Sequence, residues 1–528
     1  MRVLGVEGTA WAASAAVFDA DRYAVTALET DPYQPESGGI HPREAAEHMR
    51  QAVPAVVESV LDAAAGPIDA VAFSRGPGLG PCLRIVASAA RALALTLDVP
   101  LVGVNHMVAH LEVGRHFAGF SAPVCLNASG ANAHVLAYRD GRYRVLGETM
   151  DAGVGNAIDK FTRHVGWSHP GGPKVESAAA EGEYVELPYV VKGMDFSFSG
   201  ISSAAQEAVD DGVPVEDVCR GLQETVFAML TEVSERALAL TGRDELVLGG
   251  GVGQNARLRE MLSEMCAARG ADFYAPEAAY LGDNAGMIAL LGAKMYAAGE
   301  TVPVAESAVD PDFRPDEVAV TWRGPEAERP GRADTIRGAE ALVAVEADRV
   351  VKTRQPRDYR HPALDRQVRR DRTVVEARLT SDARRAGVPT PVVLDVDVPE
   401  TTLTLERVGE ADLRDAVDAD RVRTVAAHLA ALHDAGFVHG DPTTRNARVA
   451  PAEDRVYLID FGLGYHSDDV EDYAMDLHVL AQSLRGTADD ADRLVAAAVA
   501  AYRAAGDPAV VDHLASVEGR GRYAGGGN

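Results

Sequence analysis

Residues 2–25, "RVLGVEGTAWAASAAVFDADRYAV", and residues 122–146, "APVCLNASGANAHVLAYRDGRYRVL", share one pattern. Each is an apolar strand, a turn of small residues, a second apolar strand, and a hairpin signal in which Asp, Arg and Tyr follow one another. Two such hairpins about 120 residues apart predict a duplicated α/β unit with a ligand cleft between its halves. Outward from the hairpins, "ELVLGGGVGQNARLREML" (residues 245–262) predicts a strand that ends in glycines and a helix that starts near Asn255. Its glycines lack the GxGxxG spacing of a dinucleotide fingerprint.

At 528 residues and 47% hydrophobic, the chain exceeds one core and divides into two or more domains. The break falls in "WRGPEAERPGRAD" (residues 322–334), where Pro, Gly and charge replace apolar periodicity. This places one domain at residues 1–322, a linker at 323–334 and a second domain at 335–528. No uninterrupted run of about 18 apolar residues appears, and the first strand begins without a basic leader, so neither a membrane span nor a secretory signal is expected. A cytoplasmic location follows. Cys82, Cys125, Cys219 and Cys266 form no CxxC pair and are expected as reduced core residues. The formal charge of −28 argues on its face against nucleic acid, yet only five of the 51 basic residues are lysines. That composition suits high salt, where long-range fields are screened, so charge alone does not exclude an RNA partner.

Several short stretches carry candidate chemistry. In "GVNHMVAHLEVG" (residues 103–114), His106 and His110 share one helix face; the spacing fits a pair of metal ligands or two core histidines. The turns at Gly8, Thr9, Ser129 and Gly130 could cradle phosphate oxygens or simply reverse the chain. "GNAIDKFTRHVGWSHPGGPKVE" (residues 155–176) supplies Asp159, Gly172 and Glu176, and Asp283 precedes an apolar helix, where an N-cap is the alternative role.

Nine motifs in order, "GVEGTA", "FSRGPGLGPCLRIV", "NHMVAH", "SGAN", "GNAIDKF", "GGPKVE", "DFSFSGI", "GGGVGQN" and "GDNAGM", closely resemble the universal tRNA threonylcarbamoyladenosine synthase in its archaeal and eukaryotic form. The resemblance covers about residues 1–322 and implies a duplicated actin/Hsp70/sugar-kinase-like (ASKHA) α/β domain. It implies transfer of threonylcarbamoyl from threonylcarbamoyl-adenylate to the exocyclic amine of the adenosine 3′ of the anticodon, in tRNAs reading codons that begin with A. His106, His110 and Asp283 would hold one iron or another divalent metal. Asn127, Ala128, Ser129, Gly130 and Ala131, with Asp159, Gly172, Glu176 and Asn255, would bind the adenylate. Glu7 is a candidate polar or proton-transfer group. The chain departs from the family pattern at Asn127, where the archaeal pattern has a metal-binding tyrosine, and at Trp11, where bacterial relatives carry an aspartate. A zinc protease would need glutamate where Met107 stands. A metabolite kinase of the same fold would have no use for the histidine pair.

The C-terminal part has its own pattern. Lys352 lies on a predicted strand, Glu376 on a following helix, Asp441 and Asn446 in "HGDPTTRNARV" (residues 439–449), and Asp460 in "VYLIDFGLG" (residues 456–464). That is the order in which a kinase places its phosphate-positioning ion pair, its substrate-orienting aspartate and its two Mg²⁺ ligands. "GAEA" (residues 338–341) stands where a glycine-rich loop is usual, with Gly338 the candidate nucleotide contact. The stretch resembles the small atypical (RIO-like) serine/threonine kinase of the KEOPS complex, which implies a small bilobal protein-kinase-like α+β domain using ATP and Mg²⁺, and implies tRNA and other KEOPS subunits as partners. Asp441, Lys352 and Glu376 would be its catalytic residues, with Asn446 and Asp460 on the nucleotide side. A small-molecule phosphotransferase shares these motifs and is the competing class. Arg366, Arg369, Arg370 and Arg372, and the tail "EGRGRYAGGGN" (residues 518–528), are candidate RNA contacts or solvated faces.

Overall fold

The computed structural model describes residues 1–33, 41–324, 340–450, 452 and 455–518. Gly338, most of the expected linker (325–334) and nearly all of the arginine–glycine tail (519–528) lie outside the described residues.

The first hairpin becomes strands β1 (Arg2–Glu7), β2 (Ala12–Asp19) and β3 (Ala24–Pro32), followed by helix α1 (Pro42–Ala63), β4 (Ala70–Gly76), α2 (Gly80–Leu97), β5 (Leu101–Asn105) and α3 (His106–Ala118). The sheet order is β3-β2-β1-β4-β5, with β1 antiparallel to β2 and parallel to β4. The second hairpin becomes β6 (Val124–Ala128), β7 (Ala133–Arg139) and β8 (Arg142–Glu148). Then come α4 (Val154–His164), α5 (Gly172–Ala179), the two-stranded β9 (Val191–Lys192) and β10 (Asp195–Phe196), α6 (Ser199–Asp210), α7 (Val215–Thr241), β11 (Glu245–Gly249), α8 (Ala256–Arg269), β12 (Asp272–Tyr274), α9 (Ala278–Leu281) and α10 (Ala285–Ala297). Its sheet runs β12-β11-β6-β7-β8, the same order as the first read from the other edge. The duplication expected from the two hairpins is therefore present in the topology.

The inner strands are buried on both faces, which is why they read as continuous apolar runs: Val3, Leu4 and Val6 are fully enclosed. Helix α10 crosses β1 so closely that a Cβ at Gly5 would stand 2.5 Å from the Ala285 carbonyl oxygen, so only glycine fits there. Helix α2 is, among the described residues, the one helix long and apolar enough to cross a membrane by length and composition. Arg84 and Arg91 interrupt its sequence, and Cys82, Leu83, Val86, Ala87, Ala90 and Ala94 on one face are packed in the core.

After residue 340, a four-stranded antiparallel sheet, order β13-β14-β16-β15, is built from β13 (Ala341–Val345), β14 (Arg349–Arg354), β15 (Val393–Asp397) and β16 (Thr402–Glu406), with α11 (Pro362–Arg385) packed against it. A mainly helical lobe follows: β17 (Ala411–Asp412), α12 (Ala419–Asp434), β18 (Phe437–Val438), β19 (Ala447–Ala450), β20 (Arg455–Leu458), β21 (Tyr465–His466), α13 (Val470–Thr487), α14 (Ala491–Ala505) and α15 (Pro508–Glu518). Its core is continuous around Leu429, Phe461, Leu480 and Tyr502. All four cysteines are free and buried, as expected.

The two parts meet along α7. Arg360 and Arg372 reach Glu232 at 2.7 and 2.9 Å, and Arg357 reaches Glu235 at 3.1 Å. This corrects the reading of α11 as an arginine surface. Arg366 and Arg370 are exposed, but Arg369 pairs with Asp365 at 2.7 Å and Arg372 is buried between Glu232 and Glu340. A fully buried carboxylate such as Glu232 requires paired cations: Arg372 on α11, Arg360 just before it and Arg236 on α7 itself supply them.

Candidate functional sites

Asn105 ends β5 and caps α3: its Oδ1 accepts from Val108 N at 3.0 Å while its Nδ2 donates to the Phe313 carbonyl at 2.9 Å. The cap fixes where α3 begins and so turns His106 and His110, four residues apart, to one side. Asp283 arrives from the chain before α10. The helix is capped by Asn284, whose Oδ1 accepts from Met287 N at 3.1 Å, so the N-cap role considered for Asp283 belongs to its neighbour. Both imidazole Nε2 atoms lie 3.3 Å from Asp283 Oδ1, the rings are nearly perpendicular at 86°, and the three candidate ligand atoms fall within 4.8 Å of one another. Two imidazoles and a carboxylate brought this close together are a donor set that fits a first-row divalent cation.

Electrostatics in this cluster follow from burial. Burial disfavours the charged form of His106, but the Glu7 and Asp283 carboxylates outweigh it and push its pKa up to about 10. Burial pushes His110 down. For Asp283 burial acts upward, and the His106 charge with hydrogen bonds from both imidazoles reverses it, holding the carboxyl well below its usual range. Asn127, fully buried on β6, donates from Nδ2 to Met107 Sδ at 3.5 Å, and its Oδ1 has no hydrogen-bond partner.

The expected adenylate residues form a connected rim. The turn after Asn127 and Ala128 closes through Ser129 N to the Asn132 carbonyl at 2.8 Å, passing Gly130 and Ala131, and Gly130 O accepts from Asn156 N at the start of α4, also at 2.8 Å. Asp159 accepts from Gly171 N at 2.8 Å, beside Gly172 at the start of α5, and its other oxygen is 3.2 Å from His169 Nδ1. Glu176 accepts from Ala256 N at 2.8 Å, and Asn255 caps α8 while its Nδ2 donates to Gln223 at 3.1 Å. These side chains brace the helix starts against one another; the hydroxyl of Ser129, read as a phosphate contact, is engaged within its own turn with the Asn132 carbonyl at 3.0 Å.

In the C-terminal part, Lys352 on β14 donates to both Glu376 oxygens at 2.9 and 3.0 Å and stands 2.7 Å from Asp460. Asn446 donates to Asp441 Oδ2 at 2.9 Å. All five motif residues thus share one cleft. Burial pushes the Asp441 carboxyl up to about 7 against the pull of Arg236. For Asp460 the Lys352 and Arg354 cations overcome burial and hold it low. Sequence reasoning missed two participants. Arg236 comes across from α7 and reaches Asp441 at 3.0 Å and Glu340, while Arg354 pairs with Glu376 at 2.6 Å. No motif marks Arg236, because the contact joins residues 205 positions apart.

Residues 24–290 match the family model described as tRNA N6-adenosine threonylcarbamoyltransferase, TsaD. The chain is 74% identical over 528 residues to a protein of Halobacterium salinarum, 67% identical over 548 residues to one of Haloarcula marismortui, and 51% identical over 527 residues to one of Methanocorpusculum labreanum. The matches cover 99% of this chain and 99%, 100% and 99% of the respective relatives, each named a probable bifunctional tRNA threonylcarbamoyladenosine biosynthesis protein. With agreement over the full length of both partners, the chain belongs to the family of bifunctional tRNA threonylcarbamoyladenosine biosynthesis proteins, its N-terminal part a member of the TsaD transferases.

Proposed function

We propose that residues 1–322 transfer threonylcarbamoyl from threonylcarbamoyl-adenylate to the exocyclic amine of the adenosine 3′ of the anticodon, and that residues 335–528, joined through a linker at 323–334, are a kinase-like ATP-consuming domain serving the same cycle. The observation that carries the transferase reading is the convergence of His106, His110 and Asp283, whose candidate ligand atoms lie within 4.8 Å of one another. An iron or other divalent cation bound there would supply Lewis acidity to an acyl or phosphate oxygen. The chain's own residues position the donor: the turn at 127–131 and the α5 start offer backbone N–H groups to its adenylate half, while Glu176 and Asn255 hold the α8 start in place. The amine attacks directly, so no protein nucleophile is required.

In the second domain, Lys352, held by Glu376, positions phosphate oxygens; Asp441 orients the phosphate acceptor; Asn446 and Asp460 are the amide and acidic ligands suited to Mg²⁺. Arg236 on Asp441 ties this cleft to α7 of the transferase. The substrates are tRNA and the adenylate, the partners are other KEOPS subunits, and the working place is the cytoplasm. The relatives' names support the pathway, and the −28 charge is compatible with RNA at high salt, where base and shape contacts outlast screened fields.

His110→Ala tests the transferase site. The variant should lose bound metal and transfer together while keeping the wild-type far-ultraviolet spectrum, because a three-ligand shell reduced to two holds a cation poorly. Metal content by mass spectrometry beside transfer to tRNA in the reconstituted complex reads both; wild-type metal content in the variant contradicts the assignment.

A further inference from the structure

Glu7 ends β1 with no exposure to solvent, beside the Nδ1 edge of His106. Its Oε1 accepts from Thr9 N at 2.8 Å and from the Thr9 hydroxyl at 2.6 Å. Its Oε2 lies 3.2 Å from His106 Nδ1, within ion-pair distance though off the hydrogen-bond line, and has no hydrogen-bond partner in the structure. A carboxylate oxygen buried at 0% exposure with an imidazole nitrogen as its neighbour is a costly arrangement unless the two groups are used together. His110 differs, since its Nδ1 is buried with no partner.

We infer that Glu7 is a positioning residue that fixes His106 in the Nδ1–H form, so that the unprotonated Nε2 faces the cation held with His110 and Asp283. The inference rests on the reading of those three residues as a metal site. Its physical basis is the general one: a ligating imidazole needs a lone pair on one nitrogen, and a hydrogen-bond acceptor on the other nitrogen decides which one carries the hydrogen. Thr9 determines which Glu7 oxygen is free for that task. The Thr9 backbone N–H is purely a donor, so it always claims a Glu7 oxygen; the Thr9 hydroxyl, which donates to that same oxygen, lies 3.4 Å from His106 Nδ1 and can accept from it, and the second atom of the Glu7 head group is the other neighbour of that nitrogen.

That constraint makes Glu7→Gln a sharp probe. The carboxamide oxygen must stay on Thr9 N, which leaves the carboxamide NH₂ facing His106 Nδ1. The ring then accepts at Nδ1 and carries its hydrogen at Nε2, the nitrogen that should hold the metal. The side chain keeps its size, so a packing role alone would leave metal affinity unmoved.

The experiment is a chelator competition with Zn²⁺ and with Co²⁺ on full-length wild type and Glu7→Gln, with Co²⁺ visible bands reporting the ligand set. We expect affinity weakened by about 10–100-fold in Glu7→Gln, with thermal unfolding of the metal-free protein unchanged. Affinity within twofold of wild type overturns the role of Glu7, whereas a wild type that takes up neither ion overturns the metal-site reading on which it rests. Should the variant not fold, long-range ¹H–¹⁵N correlations on zinc-loaded, ¹⁵N-histidine wild type decide the matter. A hydrogen on His106 Nδ1 with metal on Nε2 supports the inference, and the reverse assignment contradicts it.

Discussion

Asp283 and Asn284 are neighbours with different work, and the difference lies in which of them the helix uses. Asn284 accepts the helix N–H, which leaves Asp283 facing two imidazoles. The sequence made His106 and His110 legible because helical phase is set by spacing alone. It left the choice between N-cap and ligand open for Asp283, since either residue of an Asp-Asn pair can cap. The kinase-like residues were legible for a related reason: Lys352, Glu376, Asp441, Asn446 and Asp460 keep an order that one cleft requires, and they do meet. Arg236 was illegible, being a single arginine on a long helix. At this scale the account expects Asp441→Asn to bind ATP nearly as wild type does but to lose at least about 100-fold in phosphate turnover, because the carboxylate that orients the acceptor is gone. Lys352→Ala should instead weaken ATP affinity. Equilibrium nucleotide binding and phosphate release separate the two effects; turnover near wild type in Asp441→Asn would show that the acceptor is held elsewhere.

Among elements, the hairpins were the most legible because their strands alternate between small turns and buried apolar runs, and both emerged with matching sheet order. Helix α11 was the least. Its arginines announce charge, but only the tertiary arrangement shows that Arg372 is spent on Glu232 and Glu340. The two-stranded β9–β10 hairpin carries a similar hidden contact. Asp195 on β10 is buried against α13, 3.7 Å from His478 and 3.4 Å from Gln482, and accepts from Glu148 N at 2.8 Å. Burial, aided by the charge of Glu148, pushes its carboxyl up to about 8. A carboxyl with a raised folded pKa binds its proton more tightly folded than unfolded, so between pH about 4 and 8 the native state holds more protons and stability falls as pH rises. Asp195→Asn keeps the acceptor for Glu148 N and removes the titration. Its melting temperature should exceed wild type by several degrees at pH 9 and by much less at pH 5; a difference that does not grow with pH would contradict the burial argument.

Across the whole molecule, α7 is the element that touches both clefts. Gln223 meets Asn255 at the start of α8, and Arg236, about 20 Å further along the helix, meets Asp441. Buried ion pairs at Glu232 and Glu235 fasten the second part to that helix, so the two activities share a rigid member as well as a chain. None of this was readable from composition, which registers acidic charge and a proline–glycine break but not which faces meet. The family and the order of its motifs were readable, because nine short stretches must recur together for one cleft to form. The central claim is that this chain places threonylcarbamoyl on tRNA through the His106–His110–Asp283 cluster. Nucleoside mass spectrometry of total tRNA from cells depleted of the protein, complemented with wild type or with His110→Ala, tests it most directly. The account predicts that threonylcarbamoyladenosine disappears on depletion, returns with wild type and stays absent with His110→Ala; an unchanged level after depletion, or full recovery with the variant, would contradict it.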